Sequence, residues 1–302
     1  MLLRSISLSS LIIACWATAA PAQVVLERKF ADGTQFKTRE TVKVKQSLVL
    51  SGIDLGSTTE TTVTSHTTYG KRDAQGDLPV TMKFESLTSD LKLPGGVALK
   101  FDSAAPEVKS DNPTAALILD SLRKTAGSTL TYRFDRENQV QSVEGVQEGG
   151  LQPSPDEVKE ELQRDVDLIP EKPLKPGDTW EQTVTRNLGQ GQVFTFLREF
   201  QYVGRVAKFP TVKDGKQFDK ITAKDTSVTY STKGNAGAIK VTKSDLKVDT
   251  SEHTYLFDRA AGRLVDSRSQ LRVMGPLGLS VANMDLSGDL DLTMEIRREE
   301  VE

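Results

Sequence analysis

Over the stretch from Thr34 to Leu50, Phe36, Thr38, Val42, Val44, Leu48 and Leu50 fall on one face of a period of two, and Lys37, Arg39, Lys43 and Lys45 on the other. Only a β-strand keeps that alternation, because successive side chains of a strand point to opposite faces. At about 3.3 Å per residue the strand spans roughly 50 Å, a length found in large curved sheets and barrels. One residue breaks the inner face: Glu40, a carboxylate among apolar neighbours. A second long strand of equal clarity lies near the far end of the sequence. There Met284, Leu286, Leu290, Leu292, Met294 and Ile296 share one face, and Asp285, Asp289, Asp291 and Glu295 the other. The first polar face is basic and the second acidic, so pairing of these two strands is an inexpensive expectation.

Between them the chain repeats itself. Tyr132-Arg133-Phe134-Asp135-Arg136 and Tyr255-Leu256-Phe257-Asp258-Arg259 each place two aromatics on one strand face before an Asp-Arg turn. Asn138 or Gly262 then supplies a residue tolerant of positive φ, and a second strand follows. Upstream, Gly33-Thr34-Gln35-Phe36 and Gly177-Asp178-Thr179-Trp180 head corresponding strands. Two similar β-rich halves are expected, 23–150 and 151–302, with the Gly/Pro-rich stretch 145–155 as their boundary. Each carries one helix. Asn112-Pro113 caps a stripe of Ala115, Ile118, Leu119 and Leu122 within 113–126, and Ser154-Pro155-Asp156-Glu157 is a capping box for 155–169, stopped by Pro170. Val80, Met82 and Phe84 alternate and then shift phase to Leu87, Leu91 and Leu93, which predicts a bulge near Ser86. The fold class is therefore mainly β, with long, curved antiparallel strands in a half-barrel or barrel-like sheet and one covering helix per half.

The sequence opens with Arg4, an apolar run from Ile6 to Trp16 and Ala17-Thr18-Ala19-Ala20-Pro21-Ala22, the pattern of a secretory signal peptide over 1–22. A secreted or periplasmic location is expected. Ile12-Ile13-Ala14-Cys15 offers the alternative of a lipoprotein anchored through Cys15, the sole cysteine of the 302 residues. No later apolar run reaches the roughly 18 residues that span a bilayer as a helix, so no transmembrane helix is expected after the signal peptide. The formal charge of −3 argues against a nucleic-acid partner.

Chemistry-bearing residues are few. His66 and His253 stand alone, without spacing suited to a metal, and both read as surface strand histidines. Ser251-Glu252-His253 could join a Ser-His-acid set, yet no Gly-x-Ser-x-Gly elbow accompanies it. Neither phosphate-binding nor dinucleotide-binding fingerprints occur, and no cofactor or metal is expected. The repeated Tyr-x-Phe-Asp-Arg stretch reads as core packing plus a turn clasp. Two apolar segments, Leu91–Leu99 and Val273–Leu279, place Pro-Gly pairs among large aliphatics. They read either as cover for the core or as contacts to a hydrophobic ligand, with Leu93, Val97, Leu277 and Leu279 as the candidate ligand residues.

The acidic helix of 155–169, the run Pro173-Leu174-Lys175-Pro176-Gly177-Asp178-Thr179-Trp180 and the Tyr255-x-Phe257-Asp258 hairpin together resemble a family of uncharacterised secreted bacterial proteins, a domain of unknown function frequent in planctomycetes. That resemblance implies no activity and no catalytic residues. More loosely, long antiparallel strands with covering helices are similar to the half-barrel lipoprotein carriers of the periplasm. The expected function is non-catalytic: binding of a lipid or other hydrophobic ligand, or a structural role in the envelope with a protein partner. Two alternatives stay open, a carboxylate-based hydrolase using inward residues such as Glu40, and an outer-membrane β-barrel.

Overall fold

The computed structural model describes residues 23–107, 109–146, 154–188, 191–206, 216–232, 239–281 and 284–302. The signal-peptide segment, Cys15 and most of the expected boundary stretch lie outside them. The strands are β1 (Gln35–Leu50), β2 (Ile53–Asp54), β3 (Ser57–Tyr69), β4 (Leu78–Lys92), β5 (Ala98–Asp102), β6 (Thr129–Phe134), β7 (Val140–Glu144), β8 (Thr179–Asn187), β9 (Gln192–Val206), β10 (Phe218–Thr232), β11 (Ile239–Ser244), β12 (Lys247–Asp258), β13 (Arg263–Val281) and β14 (Met284–Val301). Two helices join them, α1 (Pro113–Thr125) and α2 (Pro155–Asp167).

All 14 strands belong to one antiparallel sheet in the order β7-β6-β4-β3-β1-β14-β13-β12-β10-β9-β8, with β2, β5 and β11 appended to β1, β4 and β13. The sheet is not closed into a barrel. An outer-membrane barrel needs every strand edge paired, so that alternative does not hold. Strands β1, β3, β4, β6 and β7 follow one another across the sheet just as β8, β9, β10, β12 and β13 do.

The two long strands do pair, β1 against β14 from Lys37↔Val301 to Leu50↔Gly288. Arg39 stands opposite Glu299 and Lys43 opposite Glu295, while the closest ion pairs of the two polar faces go to the outer neighbours. Lys43 pairs with Glu60 on β3 at 3.0 Å, and Asp291 with Arg272 on β13 at 2.8 Å. Near the tip a Cβ on Gly288 would lie 1.7 Å from the Val49 carbonyl oxygen, so only glycine permits the close approach.

Irregular pairing bends the sheet. Thr64 faces Ser86 but Ser65 faces Phe84, leaving Glu85 as the expected bulge, and further shifts occur in β10 and between β12 and β13. Bulges raise local twist, and the sheet curls until Phe194 and Phe196 of β9 share one apolar cluster with Leu48 and Leu50 of β1 and Leu290 and Leu292 of β14. At that end the curled sheet is filled by its own side chains. Helix α1 begins at Asn112, whose Oδ1 accepts from Ala115 N at 3.1 Å, and buries Ala115, Ile118 and Leu119 against Leu87, Leu99 and Phe101.

Both aromatic hairpins are core with a turn clasp. Tyr132, Phe134, Tyr255 and Phe257 are buried, Asp135 Oδ1 accepts from the amides of Glu137 and Gln139, and Asp258 Oδ1 from those of Ala260 and Ala261. Asn138 and Gly262 take the expected positive φ, 61° and 65°.

Candidate ligand cavity

The sheet ends at β7 on one side and β8 on the other, and α2 is the connection between them. Its first turn is fixed by the capping box, with Ser154 Oγ accepting from Glu157 N at 3.2 Å and Glu157 Oε2 accepting from Ser154 N at 2.8 Å. The helix then reaches both edges. Toward β7, Gln163 Oε1 accepts from Val140 N at 2.8 Å and Lys159 Nζ donates to Gln141 O at 3.2 Å. Toward β8, Asn187 Nδ2 donates to Glu157 Oε1 at 2.7 Å, and Gln182 Nε2 donates to Asp167 O. Just past the helix, Trp180 Nε1 donates to Leu168 O at 3.2 Å while its ring stacks on Phe200 at 5.3 Å. Helix α2 thus fills the gap that keeps the sheet from being a barrel.

Beneath it lies a cavity of about 670 Å³. Val158, Leu162 and Val166 form the apolar stripe of α2, yet no residue of the helix is fully buried, because the stripe faces this space. One wall is aromatic and aliphatic: Phe36, Tyr69, Met82, Phe84, Leu130, Tyr132 and Phe134, with Phe30 closing over them 4.7 Å from Phe134. The segment carrying Phe30 is anchored by Val24 and Leu174, which exchange two 2.8 Å backbone hydrogen bonds, and by Lys29 N donating to Gly262 O at 3.0 Å.

Charged groups occupy the side near α2. Glu40 stands opposite Arg298 in the β1–β14 register, and Arg298 Nη1 lies 3.0 Å from Asp165 Oδ2. Burial pushes the Glu40 carboxyl up from its ordinary value, only partly offset by Arg298. Burial also works against the charge of Arg298, but Asp165 and Glu40 outweigh it and hold the guanidinium charged. Arg28 donates through Nη2 to the Asp165 carbonyl, its Nε is buried without a partner, and burial lowers its pKa.

A second polar cluster sits behind the cavity wall. Arg198 forks onto Asp225, with Nε to Oδ1 at 2.6 Å and Nη2 to Oδ2 at 3.1 Å, and donates from Nη1 to the Tyr255 hydroxyl at 2.9 Å. His253 Nε2 lies 2.9 Å from both Asp225 Oδ2 and Ser251 Oγ. Burial alone would raise the Asp225 pKa, but the hydrogen bonds from His253 and Arg198 bring it down to about 2. Burial keeps His253 neutral, so Nε2 carries the proton donated to Asp225. A serine-activating histidine needs one nitrogen for the acid and the other for the serine; here one nitrogen meets both. The set is a buried strut, and His253, 3 % exposed, is no surface histidine. His66 is half-buried, 3.9 Å from Glu85. Among the described residues no group of three or more His, Cys, Asp or Glu is placed to hold a metal ion.

The four candidate ligand residues do not line the cavity. Leu277 and Leu279 are 2 % and 6 % exposed in the cluster at the filled end of the sheet. They lie in β13 rather than in a loop, since Pro276 keeps register with Asp289 and Gly275 passes too close to Asp245 O for a side chain. Leu93 and Val97 flank a 3₁₀ turn at Pro94–Gly96 and pack against the cluster under α1. Of the cavity residues only Glu40 carried a sequence signal, as the break in the β1 alternation. Arg28, Asp165 and Arg298 come from three distant segments.

No known protein family and no curated protein matches the chain, so the resemblance to the secreted planctomycete-rich family is unsupported. Among solved structures, the chain is similar to lipovitellin, in a structure concerned with its lipid–protein interactions, at 10 % identity and a TM-score of 0.42. The alignment covers 91 % of this chain and 26 % of that one, so the chain spans about a quarter of lipovitellin. DynF from the dynemicin biosynthesis pathway of Micromonospora chersina aligns at 7 % identity and a TM-score of 0.18, covering 92 % of this chain and 85 % of that one. Neither likeness bears on what this chain binds.

Proposed function

We propose that this chain is an extracytoplasmic binding protein that carries a hydrophobic small molecule beneath α2. The observation that carries the reading is the cavity itself. It has about 670 Å³, an aromatic and aliphatic wall, a side rich in arginines and carboxylates and a helix across the mouth. Ligand pockets have this size, and an apolar wall facing a charged side suits an amphiphile. The leader-like sequence at 1–22 supports export, and the repeated strand order supports descent of the two halves from one duplicated unit.

The test is native mass spectrometry with organic extraction on protein purified without detergent from a bacterial periplasm. The expected result is a reproducible lipid-mass adduct that disappears in Met82→Trp, a change that fills the cavity, while circular dichroism stays native. A clean apo mass from a folded protein that also takes up no added lipid overturns the reading and leaves a structural role with a protein partner.

One observation favours a second reading, a carboxylate-based hydrolase. Glu40 points into the cavity with a raised pKa, as a general acid would. Asp165, however, is committed to Arg298. Hydrolysis of nitrophenyl esters or glycosides lost in Glu40→Gln would establish it.

A further inference from the structure

An unpartnered donor in the cavity wall identifies the kind of molecule that completes it. Arg186, Arg198, Arg263 and Arg298 each have a carboxylate within 4 Å, respectively Glu161, Asp225, Glu300 and Asp165. Arg28 has none among the described residues. Its hydrogen bond goes to the neutral Asp165 carbonyl and its Nε is buried without a partner; the Asp165 and Asp167 carboxylates attract it only at longer range, while the Arg298 charge repels it. A cation removed from bulk water normally carries a counterion, because an uncompensated one is costly. In β1, Glu40 likewise makes no hydrogen bond or ion pair among the described residues, and burial raises its pKa. Asp167, at the last turn of α2, is the remaining unpaired wall carboxylate, and it accepts from Gln163 at 2.8 Å. Its charge acts on Arg28 at longer range. The polar side of the cavity thus presents the donors of Arg28 and Arg298, and the buried Arg28 Nε lacks an acceptor. The aromatic wall of Phe36, Tyr132 and Phe134 faces the same space.

We infer that the ligand is a single-chain amphiphile with one negative charge, a fatty-acid-type carboxylate whose head lies against Arg28 and Arg298 and whose chain runs along the aromatic wall. The inference rests on the carrier reading above and adds the headgroup to it.

Calorimetric titration of the full chain, lacking only 1–22, with dodecanoate, dodecanol and dodecyltrimethylammonium below their micelle concentrations tests both together. A hydrogen-bonded charge contributes about 1.5–3 kcal/mol, so dodecanoate should bind roughly 10- to 150-fold more tightly than dodecanol, with the cation weakest. Arg28→Gln should bring dodecanoate to within a few-fold of dodecanol while leaving dodecanol unchanged, and Arg28→Lys should keep part of the preference. If dodecanol or the cation binds wild-type protein as tightly as dodecanoate, the headgroup inference is wrong and the carrier reading survives. If folded wild-type protein binds none of the three, both fall. Should Arg28→Gln fail to fold, the order of the three probes on wild-type protein still decides.

Discussion

Replacing Asp225 by Asn leaves the shape of the side chain and removes its charge. Asp225 is fully buried and accepts from Arg198 twice and from Ser251 and His253 once each. With asparagine in its place the Arg198 guanidinium, 3 % exposed, keeps one bond to the amide oxygen and the one to the Tyr255 hydroxyl, but loses its counter-charge and meets an amide donor where the second oxygen stood. Breaking one partner out of a buried ion pair costs about 3–5 kcal/mol. That is a large share of the roughly 5–15 kcal/mol that hold a domain together. Urea unfolding followed by Trp180 fluorescence reads it directly, since Trp180 stacks on Phe200 beside Tyr255. For a slope near 2 kcal/mol per molar, the midpoint should fall by about 2 M. The double variant Asp225→Asn, Arg198→Met should recover at least half of the loss, because removing both charges leaves none stranded. The acid limb should change as well. The carboxyl drops from 3.8 unfolded to about 2 folded, so it contributes about 2 kcal/mol above pH 4, lost as pH falls toward 2 and absent in the variant. A midpoint shift under 0.5 M, or a double variant as weak as the sum of the singles, would refute the strut.

Glu40→Gln should act with the opposite sign. The folded pKa of Glu40 is raised, so its ionisation penalises the fold above its unfolded value of about 4.5. The variant should be more stable at pH 7 and indistinguishable from wild type below about pH 4, as thermal melts across pH would show; no gain at pH 7 would mean that Glu40 is well solvated. Leu277→Ala should cost about 2–5 kcal/mol, as for a large buried aliphatic, yet leave ligand affinity in the folded fraction unchanged, because Leu277 lies outside the cavity. A selective loss of binding would return Leu277 to the site.

Much of the fold was legible because burial on a curved sheet keeps a period of two wherever the inner face is apolar. β1, β14 and both aromatic hairpins obey it, and the Asn112 and Ser154 caps mark their helices by local hydrogen bonding that needs no tertiary context. The segment Val273–Leu279 covers the core, one of its two expected roles, but does so within a strand: Gly275 and Pro276 are turn residues by habit, and here they let β13 pass close to Asp245. The cavity was hidden because its polar groups come from separate elements. Asp165 lies on what reads as the solvent face of α2, and Arg298 on what reads as a charged strand end. His253 was misjudged because its partners, Asp225 and Arg198, sit on neighbouring strands.

Helix α2 also guards the molecule against its own kind. The outer edges of β7 and β8 carry backbone donors and acceptors that no further strand satisfies, and such edges recruit strands from other chains. While α2 bridges them, both edges are covered. On the carrier reading, a movement of the helix that admitted a ligand would uncover them, so that ligand exchange and self-association would pass through one opened form. A bound ligand that holds α2 down should therefore keep the protein monomeric at concentrations where the empty protein aggregates.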